Sequence, residues 1–258
     1  MSEPATLEIS DHISEEEVIF PPGDILSDEP PLESNLQRDR IDLLIRILKL
    51  WWRERQNFYT SGNLTIYYSH NQKKSEYFRG PDFFVFLGTE KKDRKSWVVW
   101  QEDGKYPNLI LEILSSSTTA VEKGLKKQVY QDTFRTPDYF GFHPVTMELQ
   151  GFHLFDGKYQ KIQVTTDGRL WSQQLELYLG VYEGKLRFFT TENQLILSSE
   201  ELAEQERLRA EQAEERAQQA EQELARLREV LRTQGIDLEI FNDIRKLIEY
   251  TFKLRFSD

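Results

Sequence analysis

The chain has 258 residues, no cysteine, four histidines and a formal net charge of -11. Disulfide scaffolds and thiolate metal centres are excluded, and His12, His70, His143 and His153 form no close-spaced pair that would suit zinc. Without a run of about 18 apolar residues or a basic-then-apolar start, the expectation is no membrane span, no signal peptide and a cytoplasmic location.

The charge is unevenly spread. Residues 1–32 hold nine acidic and no basic residues, residues 33–199 hold 20 acidic and 23 basic, and residues 200–258 hold 15 acidic and ten basic. A mildly basic middle removes the objection that the total charge raises against a polyanionic partner.

Residues 1–32 read as an acidic arm broken by Pro21-Pro22 and Pro30-Pro31, with a short ordered piece near Val18-Ile19-Phe20. Ser34 reads as the N-cap of a helix whose apolar stripe is Leu36, Ile41, Leu44, Ile45, Leu48 and Trp52. A strand is expected over 64–69, a polar loop over 73–79, and strands over 83–87 and 97–100 joined by a charged hairpin tip at 91–95. Residues 108–114 are apolar except for Glu112, as in a central strand. The hydroxyl run 115–119 marks a turn into a helix over 122–134, with Leu125, Val129 and Phe134 on its apolar side. Short strands follow at 139–142, 149–155, 159–164, 175–181 and 185–189, with Asp156-Gly157 and Glu183-Gly184 as turns. Trp51, Trp52 and Trp97 read as core or rim aromatics.

From residue 200 the pattern changes. Ala203, Glu206, Ala210, Ala213, Ala217, Ala220, Leu224, Leu227 and Leu231 recur at alternating steps of three and four, a heptad seam that ends at Gly235. The expected organisation is an arm over 1–32, a catalytic-type α/β domain over 33–198, a coiled-coil helix over 199–234 and a helical tail over 235–258. An alanine-rich seam buries little on its own, so a homodimer is expected, through the coil, the domain, or both.

Two acidic residues stand in strand-like runs: Asp82 before Phe83-Phe84-Val85-Phe86-Leu87, and Glu112 within Leu109-Ile110-Leu111-Glu112-Ile113-Leu114. A carboxylate in an apolar strand is costly unless it is paired or holds a cation. Two carboxylates suit Mg²⁺, with Mn²⁺ as a substitute, and a lysine such as Lys126 can orient an attacking water and offset charge on a phosphate. Lys123 and Lys127 compete with Lys126 for that role. The plainer readings are an ion pair at Glu112 and an i,i+4 partnership of Lys126 with Glu122.

The segments Gly80-Pro81-Asp82-Phe83-Phe84-Val85, Leu111-Glu112-Ile113-Leu114-Ser115 with Ser117-Thr118, Lys126-Lys127-Gln128-Val129-Tyr130 and Thr136-Pro137-Asp138-Tyr139-Phe140 resemble the bacterial “putative restriction endonuclease” family of the PD-(D/E)XK nuclease superfamily, over roughly residues 33–198. The resemblance implies a restriction endonuclease-like mixed sheet flanked by helices. It also implies a Mg²⁺-dependent site acting on DNA, with Asp82 and Glu112 as metal ligands and Lys126 as the catalytic lysine. The superfamily's lysine two residues after the second acid is Leu114 here, and the family's aspartate before a proline is replaced by His143 before Pro144. These departures support an alternative: a nuclease-like scaffold of weak or lost activity, acting through its coiled coil.

Overall fold

Four apolar side chains at helical spacing, Ile41, Leu44, Ile47 and Leu48, create the first element, helix α1 (Asn35–Trp51). The computed structural model describes residues 35–68, 80–114 and 120–235, with the side chains of 120–123 set aside. The buried stripe includes Ile47 in place of Leu36, which is 57% exposed in the first turn. The expected arm, the Ser34 cap, the 73–79 loop, the 115–119 hydroxyl run and the 236–258 helix lie outside the described residues.

The elements that follow are β1 (Phe58–Ser61), β2 (Ile66–Tyr67), β3 (Phe83–Leu87), β4 (Trp97–Val98), a 3-10 turn (Val99–Gln101), β5 (Leu109–Ile113), α2 (Ala120–Gln128) and a π-helical turn (Val129–Thr133). After them come β6 (Asp138–His143), β7 (Glu148–Phe155), β8 (Lys158–Lys161), β9 (Leu170–Ser172), β10 (Leu177–Tyr182), β11 (Lys185–Phe189) and α3 (Ser199–Thr233). The first large sheet runs β1-β3-β5-β6-β7-β8, and a smaller one runs β11-β10-β9. Only β5 and β6 pair in parallel within the large sheet, so it is mixed, and α2 with its π turn is the crossover between them. This is the mixed α/β sheet flanked by helices that the sequence implies.

Strands β3, β5 and β6 are buried on both faces. One face carries Phe83, Val85, Leu109, Leu111, Phe140 and Phe142, packed with α1 and with Leu177, Leu179 and Phe188 of the smaller sheet. The other carries Phe84, Phe86, Ile110 and Tyr139, covered by Trp97, Tyr130 and Phe134. Each such buried side chain contributes about 1.5–3 kcal/mol. Within the second helical stretch the inward residues are Tyr130 and Phe134, whereas Leu125, expected on the apolar side, is 59% exposed.

The expected 91–95 hairpin does not form. Strand β3 pairs with β1 and β5, while β4 pairs in parallel with β2. The reason is Arg94. It lies over the rings of Tyr59 and Trp97 at 4.6 and 4.7 Å, and its Nε donates to Glu102 at 2.7 Å. A guanidinium so stacked and paired packs as part of the core instead of capping an exposed turn. Strands β1 and β9 also form where no strand was expected. The two glycine turns hold: Asp156 and Gly157 have φ of 47° and 75°, Glu183 and Gly184 of 48° and 71°, the left-handed pairs that tight hairpins require.

The two sheets are tied by one buried acid. Asp138 is fully buried; its Oδ2 accepts from the Ser172 hydroxyl at 2.7 Å and the Gln174 N–H at 2.9 Å, and its Oδ1 lies 2.8 Å from His153 Nδ1. The chain divides into two compact units, residues 1–198 and 199–258. In the second, α3 is a continuous 35-residue helix without a buried residue. Among the described residues no helix is long and apolar enough to cross a membrane.

Asp138→Ala strands the Ser172 hydroxyl and the Gln174 N–H in the core, so urea unfolding is expected to show a loss of about 2–4 kcal/mol. Asp138→Asn, which keeps an acceptor, is expected to cost less than half as much.

Candidate active site

Strand β5 lies between β3 and β6, and its pleat turns Glu112 toward the side that Ile110 and Leu114 share. Pairing of Phe83 with Leu111, carried one residue further, sets Asp82 across from Glu112. Opposed residues of an antiparallel pair project from the same face. The two acids that the sequence singled out therefore share the sheet face that carries Tyr139 and is covered by Tyr130.

Glu112 is 5% exposed. Its Oε2 accepts from Lys126 Nζ at 2.8 Å, and its Oε1 accepts from the Tyr130 hydroxyl at 2.6 Å. Withdrawing a carboxylate from water costs several kcal/mol, and two charge-assisted bonds of about 1.5–3 kcal/mol each offset much of that. Asp82, half-buried, is held differently. Its Oδ2 accepts from the Ile113 N–H at 2.7 Å and its Oδ1 from Gln37 Nε2 of α1 at 3.1 Å. Burial and the neighbouring Glu112 charge push Asp82 up to about 7, against the opposing pull of Lys126 and its hydrogen bonds. Burial, and then the charge of Glu112, also raise Tyr130 well above the usual phenol range, so it serves as a hydrogen-bond donor.

Of the three competing lysines, Lys126 reaches the acids. Lys127 instead lies over the Phe152 ring, 3.1 Å from its centroid, and burial lowers its pKa. The side chains of Glu122 and Lys123 are outside the described set. Leu114 stands two residues after Glu112, and its side chain lies over Gly141, 3.4 Å from where a Cβ would stand. His143 accepts a hydrogen bond at Nδ1 from the Thr146 N–H at 3.2 Å, the closing contact of a turn after β6.

Two members of the site were missed. Tyr130 carries a sequence signal, since it stands four residues after Lys126 and so on the same helical side. The π turn that follows, marked by the Phe134 N–H bonding to the Val129 carbonyl, is the kind of irregularity that helices adopt at functional sites. Gln37 carries none, because its approach to Asp82 depends on how α1 docks.

The donor set fits a hard divalent cation such as Mg²⁺. It offers two carboxylates on one face whose mutual repulsion such an ion would relieve, and Mg²⁺ retains waters where protein ligands are few. Among the described residues no group of three or more acidic, histidine or cysteine side chains is gathered at one point.

The raised Asp82 pKa has a stability consequence. The folded protein holds this proton more tightly than the unfolded chain, so the contribution is present below pH ~4 and is lost as pH rises through about 7. Asp82→Asn is therefore expected to be more stable than the parent at pH ~8, by about 1–3 kcal/mol in urea unfolding, with a smaller gap at pH ~5.

No curated protein sequence matches the chain. A solved structure described as a putative nuclease belonging to DUF820 from Anabaena variabilis is similar at 12% identity and a TM-score of 0.39, covering 57% of this chain and 76% of that one. The sequence profile of Uma2, described as “Putative restriction endonuclease”, matches residues 10–188, a span that takes in α1, the whole large sheet, Asp82, Glu112 and Lys126. The chain belongs to this family.

Proposed function

We propose that the protein is a divalent-cation-dependent endonuclease that hydrolyses phosphodiester bonds in DNA. The observation that carries this reading is the opposition of Asp82 and Glu112 on one sheet face, with the Lys126 ammonium 2.8 Å from Glu112. Family membership supports the reaction class. Asp82 and Glu112 are the residues that would hold Mg²⁺ or Mn²⁺. Bound there, the ion supplies an activated water and neutralises charge on the phosphate.

The chain's own groups have separable tasks. The Ile113 N–H and Gln37 aim the Asp82 carboxylate, and the Tyr130 hydroxyl fixes the Glu112 rotamer. Lys126, with about a third of its side chain exposed, carries its charge between Glu112 and solvent, where it can meet a phosphate oxygen or hold the attacking water. Its position on α2 supplies the charge that Leu114 cannot. Because a cation ligand must be deprotonated, cation binding weakens as pH drops through about 7, where Asp82 without a cation takes up its proton.

A specific observation favours a second reading, a nuclease-like scaffold. Both Glu112 oxygens already have partners in Lys126 and Tyr130, so the acid is satisfied without a cation. Calorimetric titration with Mn²⁺ separates the two. Binding that disappears in Asp82→Ala or Glu112→Ala supports the enzyme, and no binding to the parent supports the scaffold.

With Mg²⁺ or Mn²⁺, purified protein is expected to nick supercoiled plasmid. Glu112→Ala is expected to abolish nicking, and Lys126→Ala to slow it about 10²–10³-fold, each with an unchanged circular dichroism spectrum. Undiminished cleavage by Glu112→Ala would reject the assignment.

A further inference from the structure

Among the described residues, helix α3 leaves its seam exposed from Ala203 to Leu227. Ala203, Ala210, Ala213, Ala217, Ala220, Leu224 and Leu227 are all exposed, the leucines at 49% and 56%. With 203 as position a and 206 as position d of the heptad, the residues flanking the seam are fixed. Position g is Leu202, Arg209, Arg216, Glu223 and Val230; position e is Arg207, Glu214, Glu221 and Arg228.

We infer that α3 pairs with α3 of a second copy of this chain as a parallel, in-register two-stranded coiled coil. The argument is charge complementarity. In a parallel coil each g residue meets the e residue five positions on in the partner. Arg209 then meets the partner's Glu214, Arg216 meets the partner's Glu221, and Glu223 meets the partner's Arg228. Every charged g residue finds an opposite charge, six pairs per dimer by symmetry. In an antiparallel pairing with 210 facing 220, g meets g and e meets e: Arg209 meets Glu223 and Arg207 meets Glu221, but Arg216 opposes Arg216 and Glu214 opposes Glu214 in the middle of the overlap, so among these residues four pairs attract and two repel. The alanines fit both orientations, and the one polar seam residue, Glu206, faces its own copy near the start of a parallel coil, a cost that the six flanking pairs outweigh. Helix α3 keeps some of its charge for itself, since Arg207 bridges Glu204 at 2.7 Å and Glu211 along its own surface. Glu214 takes only a long hydrogen bond from Gln218, at 3.5 Å, which leaves it able to meet an arginine of the partner.

The consequence is one of arrangement. A parallel coil sets the two Ser199 positions side by side, and each is the residue after the end of a 1–198 unit. Two copies of the unit are thereby tethered at the same end of the coil. This inference does not depend on the proposed reaction, and its test reads association and not cleavage.

Because the chain has no cysteine, a single introduced thiol is an unambiguous reporter. A disulfide needs Cα atoms within about 7 Å. In the parallel coil position 210 faces 210 and 220 faces 220, so full-length Ala210→Cys and Ala220→Cys each form a cross-linked dimer under mild oxidation. In the antiparallel coil 210 faces 220, and like positions stand about 15 Å apart at ~1.5 Å per residue. There only the mixture of the two variants cross-links. Light scattering on the charge variants adds a second arm. Arg209→Glu with Arg216→Glu, and separately Glu214→Arg with Glu221→Arg, are each expected to weaken the dimer at least about tenfold. Mixing the two double variants restores a heterodimer. A monomeric parent at tens of micromolar, cross-linking only in the mixture, or charge variants that associate as the parent does would overturn the inference.

Discussion

The organisation of the first unit follows from one constraint: a carboxylate in the middle of a central strand. Glu112 has no route to water through β3 or β6, so the fold has to bring partners to it. Lys126 and Tyr130 do so from the same helical stretch, which fixes where that stretch lies on the sheet. Its placement in turn sets Tyr130 and Phe134 into the aromatic layer with Phe84, Phe86 and Trp97. Satisfying one polar group and filling a core are thus achieved by the same docked segment.

The two faces of the large sheet divide the labour. The face toward α1 and the smaller sheet is largely apolar, and its buried acid, Asp138, is tied across the gap between sheets and belongs to the scaffold. The opposite face carries both site acids and the aromatic layer. Strand alternation alone produces this split, since Leu111 and Ile113 flank Glu112 and point the other way. Asp138 and Glu112 are both buried acids on adjacent strands, yet one braces the two sheets and the other faces Lys126, Tyr130 and the proposed site. The sheet side, not the degree of burial, separates them.

Much of this was legible in the sequence. The uninterrupted apolar runs at 83–87 and 109–113 announce strands covered on both faces, and an acid within one of them is conspicuous. Helical spacing locates α1, α2 and α3, and glycine turns locate the last hairpins. What escaped depends on tertiary packing. Strand β1 is too short and mixed to show a period. The β3-to-β4 connection reads as a polar tip because Arg94 looks solvated in sequence, while its stacking on Tyr59 and Trp97 exists only once both rings are in place. Gln37 could not be linked to Asp82 before α1 had a docking site. The roles of Asp82, Glu112 and Lys126 rest on chemistry and resemblance, and the fold adds their placement relative to one another.

Gly141 stands beside Glu112 in the neighbouring strand, where any other residue would add a side chain. The bare backbone and the Leu114 methyl groups add no charged group on that side of the acid. Burial lowers the permittivity around Glu112, so its attraction to the Lys126 ammonium is damped less than that of the same two residues on an open surface. With hydrocarbon where the superfamily has its lysine, the pull on Glu112 from a cationic side chain comes, among the described residues, from across the sheet face, through Lys126.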